Sequence, residues 1–424
     1  MSESDDTQFI SADPPALPRG SASTAFVVQH AHLESGAGRD RCVGREPHLI
    51  ADRDVSESSE QRSATRARPP IVPLTGVRAF AALWVVFYHL RPTVERIFPE
   101  AHGLHGFLAF GYLGVDLFAF LSGFVIAYNY CDRVDLARPR EIGVFLWIRA
   151  VRIFPLHWFL LLALLVARLT IPRFGEFGID VGRWEAGDFI EHALMLHGWG
   201  VAQHLAWNVP SWTVSAEWLC YLLFPLMAVL LLRIGDGFVA VAAATATLGV
   251  TKVVLDAAGF PDFSASLSWG AVRIGGEFVA GCLLWRAFAL GTFDSAPWGA
   301  IAVAAFGTAG LLTGWPGTAF PIVCCFAVGV LSLAYARGPL AWCLSLRPIV
   351  FLGEISYSIY LLHWVVLRIF EYSVGRAVMQ LGGRGLALAV MVVVILGGSV
   401  LTYFGVERPA RRHLRAWVTA PPAR

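Results

Sequence analysis

From residue 72 onward the chain returns repeatedly to apolar stretches of bilayer length: 72–90, 106–130, 144–167, 210–232, 237–255, 270–290, 297–314, 318–336, 349–371 and 386–406. A helix of about 20 residues crosses the roughly 30 Å of bilayer hydrocarbon. Helices and closed barrels alone satisfy the backbone there, and these stretches lack the alternation of barrel strands. The expectation is an all-α polytopic membrane protein with about ten transmembrane helices over residues 71–412. The amphipathic stretch 186–204 reads as an interfacial or re-entrant addition. Composition agrees, with 56% hydrophobic and 15% charged residues, against roughly 25% charged in soluble domains.

Residues 1–70 are a different material, rich in Ser, Asp, Glu, Arg and Pro and ending in RSATRARPP. They read as a disordered cytoplasmic tail without the apolar core of a secretory signal, and 413–424 as a short cytoplasmic C-terminal tail. An even helix count puts both ends on one side. Fourteen basic residues then fall on that side (Arg62, 66, 68, 133, 138, 140, 233, 286, 337, 347, 408, 411, 412, 415) and seven opposite (Arg91, 96, 173, 183, 376, 384 and Lys252). The bias places both termini in the cytoplasm, which for a bacterial chain means a multi-pass inner-membrane protein. A net charge of +2 without a basic aromatic stripe gives no reason for nucleic acid. The cysteines lack metal-ligand spacing. With no internal repeat and no soluble domain after the last helix, any chemistry is expected inside the bundle.

Ionisable residues within such stretches are costly and mark function by default. On the first stretch Arg78 and His89 are eleven positions apart, hence within roughly 20° of one helical face and about 16 Å apart along it. The second carries Asp116, with Ser122 and Gly123 below it. Asp116 is either a buried partner for an arginine or the group that orients His89, as a third residue orients a catalytic base. Arg149 and Arg152 share a face of the third stretch at the level of Arg78. Three arginines at one depth suit a polyanion such as the phosphates of coenzyme A, because guanidinium forks grip phosphate oxygens. Glu217 in the fourth stretch reads as a second acid at the level of His89. Arg273 and Glu277, at i,i+4 in the sixth, read as a structural ion pair, and His363 in the ninth as an isolated structural histidine.

The strings LTGVRAFAALWVVFYH, GYLGVDLFAFLSGFVI, FLWIRAVRIFPLHW, VPSWTVSAEW, RIGGEFVAG, GEISYSIYLLHW and VERPAR, in this order over residues 72 to 412, resemble the successive motifs of the acyltransferase-3 family. The resemblance implies transfer of an acyl group, often acetyl, from acyl-CoA to a hydroxyl of a carbohydrate of the cell envelope or an exported glycan; the cysteine spacing adds the expectation of no metal. Residue by residue it matches Arg78 and His89 to the family's Arg and His separated by ten residues, Arg149 and Arg152 to its paired arginines, and Glu217 to its acidic position. His89 is then the catalytic base or nucleophile, Asp116 or Glu217 its orienting acid, and Arg78, Arg149 and Arg152 the donor-binding set. Two departures stand out. Trp218 replaces the second acid of many members, and no extracytoplasmic esterase-like domain is appended, so either the bundle acts alone or an unlinked extracytoplasmic partner completes transfer. The alternatives are an acceptor that is the sugar of a macrolide-type natural product, or a proton-coupled transporter built from the same buried ionisable groups.

Overall fold

A computed structural model describes residues 68–170, 186–202, 204, 206–372 and 375–419. The expectation of a disordered tail over 1–70 therefore falls outside the described residues, except for residues 68–70. Among the described residues there are helices and no strands.

The first span, α1 (Val72–Ile97), has Pro73 in its first turn, where the fixed φ suits a helix and no N–H is missed. A short α2 (His102–Ala109) and a 3₁₀ turn (Gly111–Leu113) lead into α3 (Gly114–Tyr130). Next come the long α4 (Pro139–Thr170), the short α5 (Ala186–Ala193) and α6 (Ser211–Leu232). The helix α7 (Gly237–Ala257) is capped by Asp236, whose carboxylate accepts from the amides of Phe238 and Val239 at 2.7 and 3.0 Å. Then follow α8 (Leu267–Ala289), α9 (Trp298–Leu312), α10 (Ala319–Tyr335), α11 (Pro339–Leu344), α12 (Arg347–Glu354) and α13 (Ser356–Tyr372). The chain ends with α14 (Gly375–Thr402), a five-residue π-helical turn (Tyr403–Glu407) and α15 (Arg408–Thr419).

Each of the ten expected stretches falls on helix, but not all are long enough to span. Among the described residues seven helical segments, α2 with α3 counted as one, have the length and apolarity to cross a membrane, and α12 with α13, bent by 62°, make an eighth if taken as one span. With 15 and 17 residues, α9 and α10 are about 22 and 25 Å long, short of the hydrocarbon thickness.

Two close seams set the bundle. A Cβ on Gly123 of α3 would lie 2.0 Å from the Phe278 carbonyl of α8, and one on Gly281 of α8 would lie 2.3 Å from the Phe120 carbonyl of α3. Only glycine permits that approach, the small-residue contact that replaces hydrophobic driving force inside lipid. A second reciprocal pair joins α12 and its neighbour α11 to α1: Gly353 lies against Thr75 and Gly76 against Leu344. The start and end of the described chain share one end of the bundle. Arg68 reaches the Tyr128 carbonyl and Asp132 just past α3, Tyr130 meets Arg149 at the start of α4, and Trp147 donates to the Leu414 carbonyl of α15 at 2.8 Å and stacks on Trp417.

Candidate active site

A cavity of about 120 Å³ opens among α1, α3, α4, α6, α8 and α13, and Arg78, Arg149 and Arg152 all line it. A buried water needs roughly 10–15 Å³ by this measure, so the space holds several. The shared level expected for these arginines is thus what the fold provides, because α1 and α4 both enter from the end of the bundle where the termini lie.

Their partners differ. Arg149 donates to the Tyr130 hydroxyl at 2.9 Å and lies over its ring. Arg152 is paired with Glu407 and lies 5.2 Å from the Tyr357 ring centroid. The Arg78 side chain makes no hydrogen bond or ion pair with another described residue. Glu217 and Glu407 supply negative charge nearby, but neither binds its donors directly, so those donors stay open to a ligand anion.

Glu217 also lines this cavity, away from His89. It accepts from the hydroxyls of Ser122 and, at 2.5 Å, Tyr221. It makes no hydrogen bond with His89, and how it reaches the cavity is set by where α6 begins. Residues 195–199 pack over its first turns: the Ser215 hydroxyl donates to the Met195 carbonyl at 2.6 Å and accepts from the Gly198 amide at 2.9 Å. Ser211 to Ala216 are therefore all buried, and Glu217 follows them, facing Ser122 of α3.

Of the two readings of Asp116, its geometry fits the buried partner of an arginine. Both its oxygens are held by Arg273, at 2.8 and 2.5 Å, with the acid 0% and the arginine 2% exposed. Aromatic faces of Tyr112 and Trp212 complete the guanidinium's surroundings. Asp116 makes no hydrogen bond to His89. The expected Arg273–Glu277 pair does not form either, since Arg273 turns toward α3 and the buried Glu277 oxygens meet no hydrogen-bond donor.

The group beside His89 is His363, which the sequence offers only as an isolated histidine. Their rings lie 5.0 Å apart, with His363 Nε2 3.3 Å from His89 Nδ1. That same Nδ1 lies 3.0 Å from the Val85 carbonyl one turn back. A carbonyl only accepts, so Nδ1 carries the proton and Nε2 of His89 keeps its lone pair. Tyr360 separates this pair from the arginine cavity: it lines the cavity, its ring lies 5.9 Å from His363, and its hydroxyl is held by Thr213 and the Pro210 carbonyl at 2.8 Å each. No residue-type signal could have found the pairing, although a histidine three positions after a tyrosine on an apolar helix does place both on one face.

The amphipathic stretch near 186–204 holds a second histidine group. His192 stacks on His197 at 3.8 Å, and His157 of α4 lies 6.2 Å from His197 and meets the His192 carbonyl at 2.8 Å. His192 and His197 lie outside the spans, and burial lowers both from the ordinary value near 6.5, His197 well below it. An opened segment takes up protons as pH falls through 6.5 while the closed stack stays neutral, so the stack's full contribution is present above 6.5 and is lost below it. With the base-catalysed pH dependence of intrinsic exchange divided out, the protection factors of residues 186–199 are expected to fall between pH 7.5 and 5 ahead of those in the spans. Equal protection at both values would remove the stack as a fastening.

The geometry so far describes a membrane-embedded bundle with a cationic cavity and a histidine pair beyond it. A family model described as "Acyltransferase domain" matches residues 72–404, and the chain belongs to this acyltransferase-3 family; it is a multi-pass membrane acyltransferase. It is 28% identical over 389 residues to the acyltransferase MdmB of Streptomyces mycarofaciens, covering 82% of this chain and 94% of that protein. No solved structure matches the chain. Family membership replaces the transporter alternative.

Proposed function

We propose that the enzyme moves a short acyl group, acetyl above all, from acyl-CoA to a sugar hydroxyl, on an envelope or exported glycan or on a glycosylated natural product. The observation that carries the donor reading is Arg78, unpartnered on the wall of a cavity that Arg149 and Arg152 also line. Phosphates of the nucleotide end complete these guanidiniums, and the thin pantetheine arm runs toward His89, about 16 Å along α1 from Arg78.

In the reaction, Nε2 of His89 takes the proton of the acceptor hydroxyl as its oxygen attacks the thioester carbonyl. The C–S bond breaks, and the leaving thiolate recovers that proton from His89, giving ester and free thiol. His363 and the Val85 carbonyl hold His89 in the tautomer that leaves Nε2 open, the part expected of Asp116 or Glu217. Glu217 instead belongs with the donor cavity, where it offsets the arginine charge. The basic bias of the loops on the termini's side argues that the cavity faces the cytoplasm, where coenzyme A is made, with acceptor hydroxyls meeting His89 from the other side. An extracytoplasmic partner would then be needed only to carry the product further.

In sealed inside-out vesicles, acetyl-CoA added outside is expected to support transfer to a trapped acceptor. Arg149→Ala should raise the half-saturating donor concentration about tenfold, the scale of one lost charge-assisted contact, and added salt should do likewise in the wild type. Transfer only from donor trapped in the lumen would reverse the orientation. An unchanged half-saturation with a collapsed maximal rate would remove Arg149 from donor binding.

A further inference from the structure

Of the three arginines on the cavity wall, Arg152 alone already holds an anion of the protein. Glu407 is 2% exposed and sits in the π-helical turn between α14 and α15. The extra residue of a π turn re-aims the side chains around it, and such turns recur at functional positions. Here it directs Glu407 into the bundle while Arg408, Arg412 and Arg415 are exposed. One Glu407 oxygen takes Arg152 and lies 3.4 Å from Arg411, and the other accepts from the Ser358 hydroxyl at 2.6 Å. A single carboxylate thus binds residues of α4, α13 and α15.

We propose that Glu407 is the resident counter-anion of the donor site, holding Arg152 while the cavity is empty and yielding it to the donor's phosphates. This rests on the donor reading above. Three arginines around one small cavity repel one another without a ligand, and a fixed carboxylate relieves that repulsion at Arg152. Exchange is feasible because Glu407 is not left bare when it gives up Arg152: Arg411, one helical turn away, and Ser358 still satisfy it. Glu407 is therefore a positioning residue acting through Arg152, and its effect on affinity has a definite sign. Its carboxylate competes with the ligand, so removing its charge tightens donor binding, whereas a purely structural residue would weaken it or leave it unchanged.

The test is equilibrium binding of coenzyme A and of inorganic pyrophosphate to purified protein in lipid nanodiscs. Glu407→Gln keeps the shape and the Ser358 hydrogen bond and is expected to tighten both probes about tenfold, the order of one charge-assisted bond no longer exchanged. In an Arg152→Ala background the same change should have no effect. Arg411→Ala has the opposite sign: with its alternative partner gone, Glu407 holds Arg152 more firmly and both probes should bind more weakly. That variant changes a half-exposed side chain of α15 and gives an independent reading if the Gln variant folds poorly. Unchanged or weaker binding in Glu407→Gln together with no weakening in Arg411→Ala overturns the proposal, as does failure of every protein to bind either probe. Pyrophosphate tightening without any coenzyme A binding would retire the acyl-CoA reading and leave the counter-anion in place.

Discussion

His89→Ala is expected to lower acyl transfer by about 10² to 10⁴-fold, the usual range for loss of a positioned general base, while the protein still inserts and binds coenzyme A. The expectation follows from how the imidazole is held. Its Nδ1 is committed to the Val85 carbonyl with His363 alongside, which leaves Nε2 as the nitrogen able to take a proton. The ring also stands edge-on to Trp364 and Tyr88, so its orientation is fixed by packing as well as by hydrogen bonds. Because His89 is not among the residues lining the arginine cavity, donor affinity should be preserved. Single-turnover transfer in vesicles, paired with coenzyme A binding, separates the two effects. Transfer within a few-fold of wild type would take His89 out of the mechanism.

Asp116→Ala is expected to cost about 3–5 kcal/mol of stability, because it strands Arg273 as an uncompensated charge in the bundle interior. The measured outcome should be loss of monodisperse protein and a lower midpoint of thermal unfolding in detergent. Breaking a buried pair is far worse than replacing it, since apolar residues of similar volume remove both desolvation penalties at once. Asp116→Leu combined with Arg273→Met should therefore recover folded protein. The double variant also decides between the two roles that the sequence left open for Asp116. Recovered folding with acyl transfer retained makes the pair structural; recovered folding without transfer returns Asp116 to the chemistry.

Much of the scaffold was legible from residue order alone, for a physical reason. Spans announce themselves by length and apolarity, and groups on one helix, such as Arg78 with His89 or Arg149 with Arg152, keep a relation set by 100° per residue. The gathering of the arginines followed from helix direction. What stayed hidden were pairings between helices: Arg273 with Asp116 across 157 positions, Arg152 with Glu407 across 255, and His363 with His89 across 274. Nothing local distinguishes Glu277, one turn from Arg273 and unpaired with it, from Asp116 on another helix. Glu407 lay in plain view within VERPAR, yet the π turn that aims it inward has no signature in composition. Nor does the sequence show that residues 195–199 fold over the start of α6, or that Glu217 meets Ser122 of α3 across 95 positions.

The glycine seams also say which parts of this enzyme move as one. With α3 against α8, and α11 and α12 against α1, relative sliding along those lines meets backbone. Past the 62° break after α12, α13 bears Tyr357 and Ser358 beside the arginines, Tyr360 at the partition and His363 beside His89. It is pinned at three of these, Tyr357 to the Ile153 carbonyl, Ser358 to Glu407, and Tyr360 to Thr213 and the Pro210 carbonyl. The helix is a fixed ruler, setting the distance an acyl group must cover between the arginines and the base.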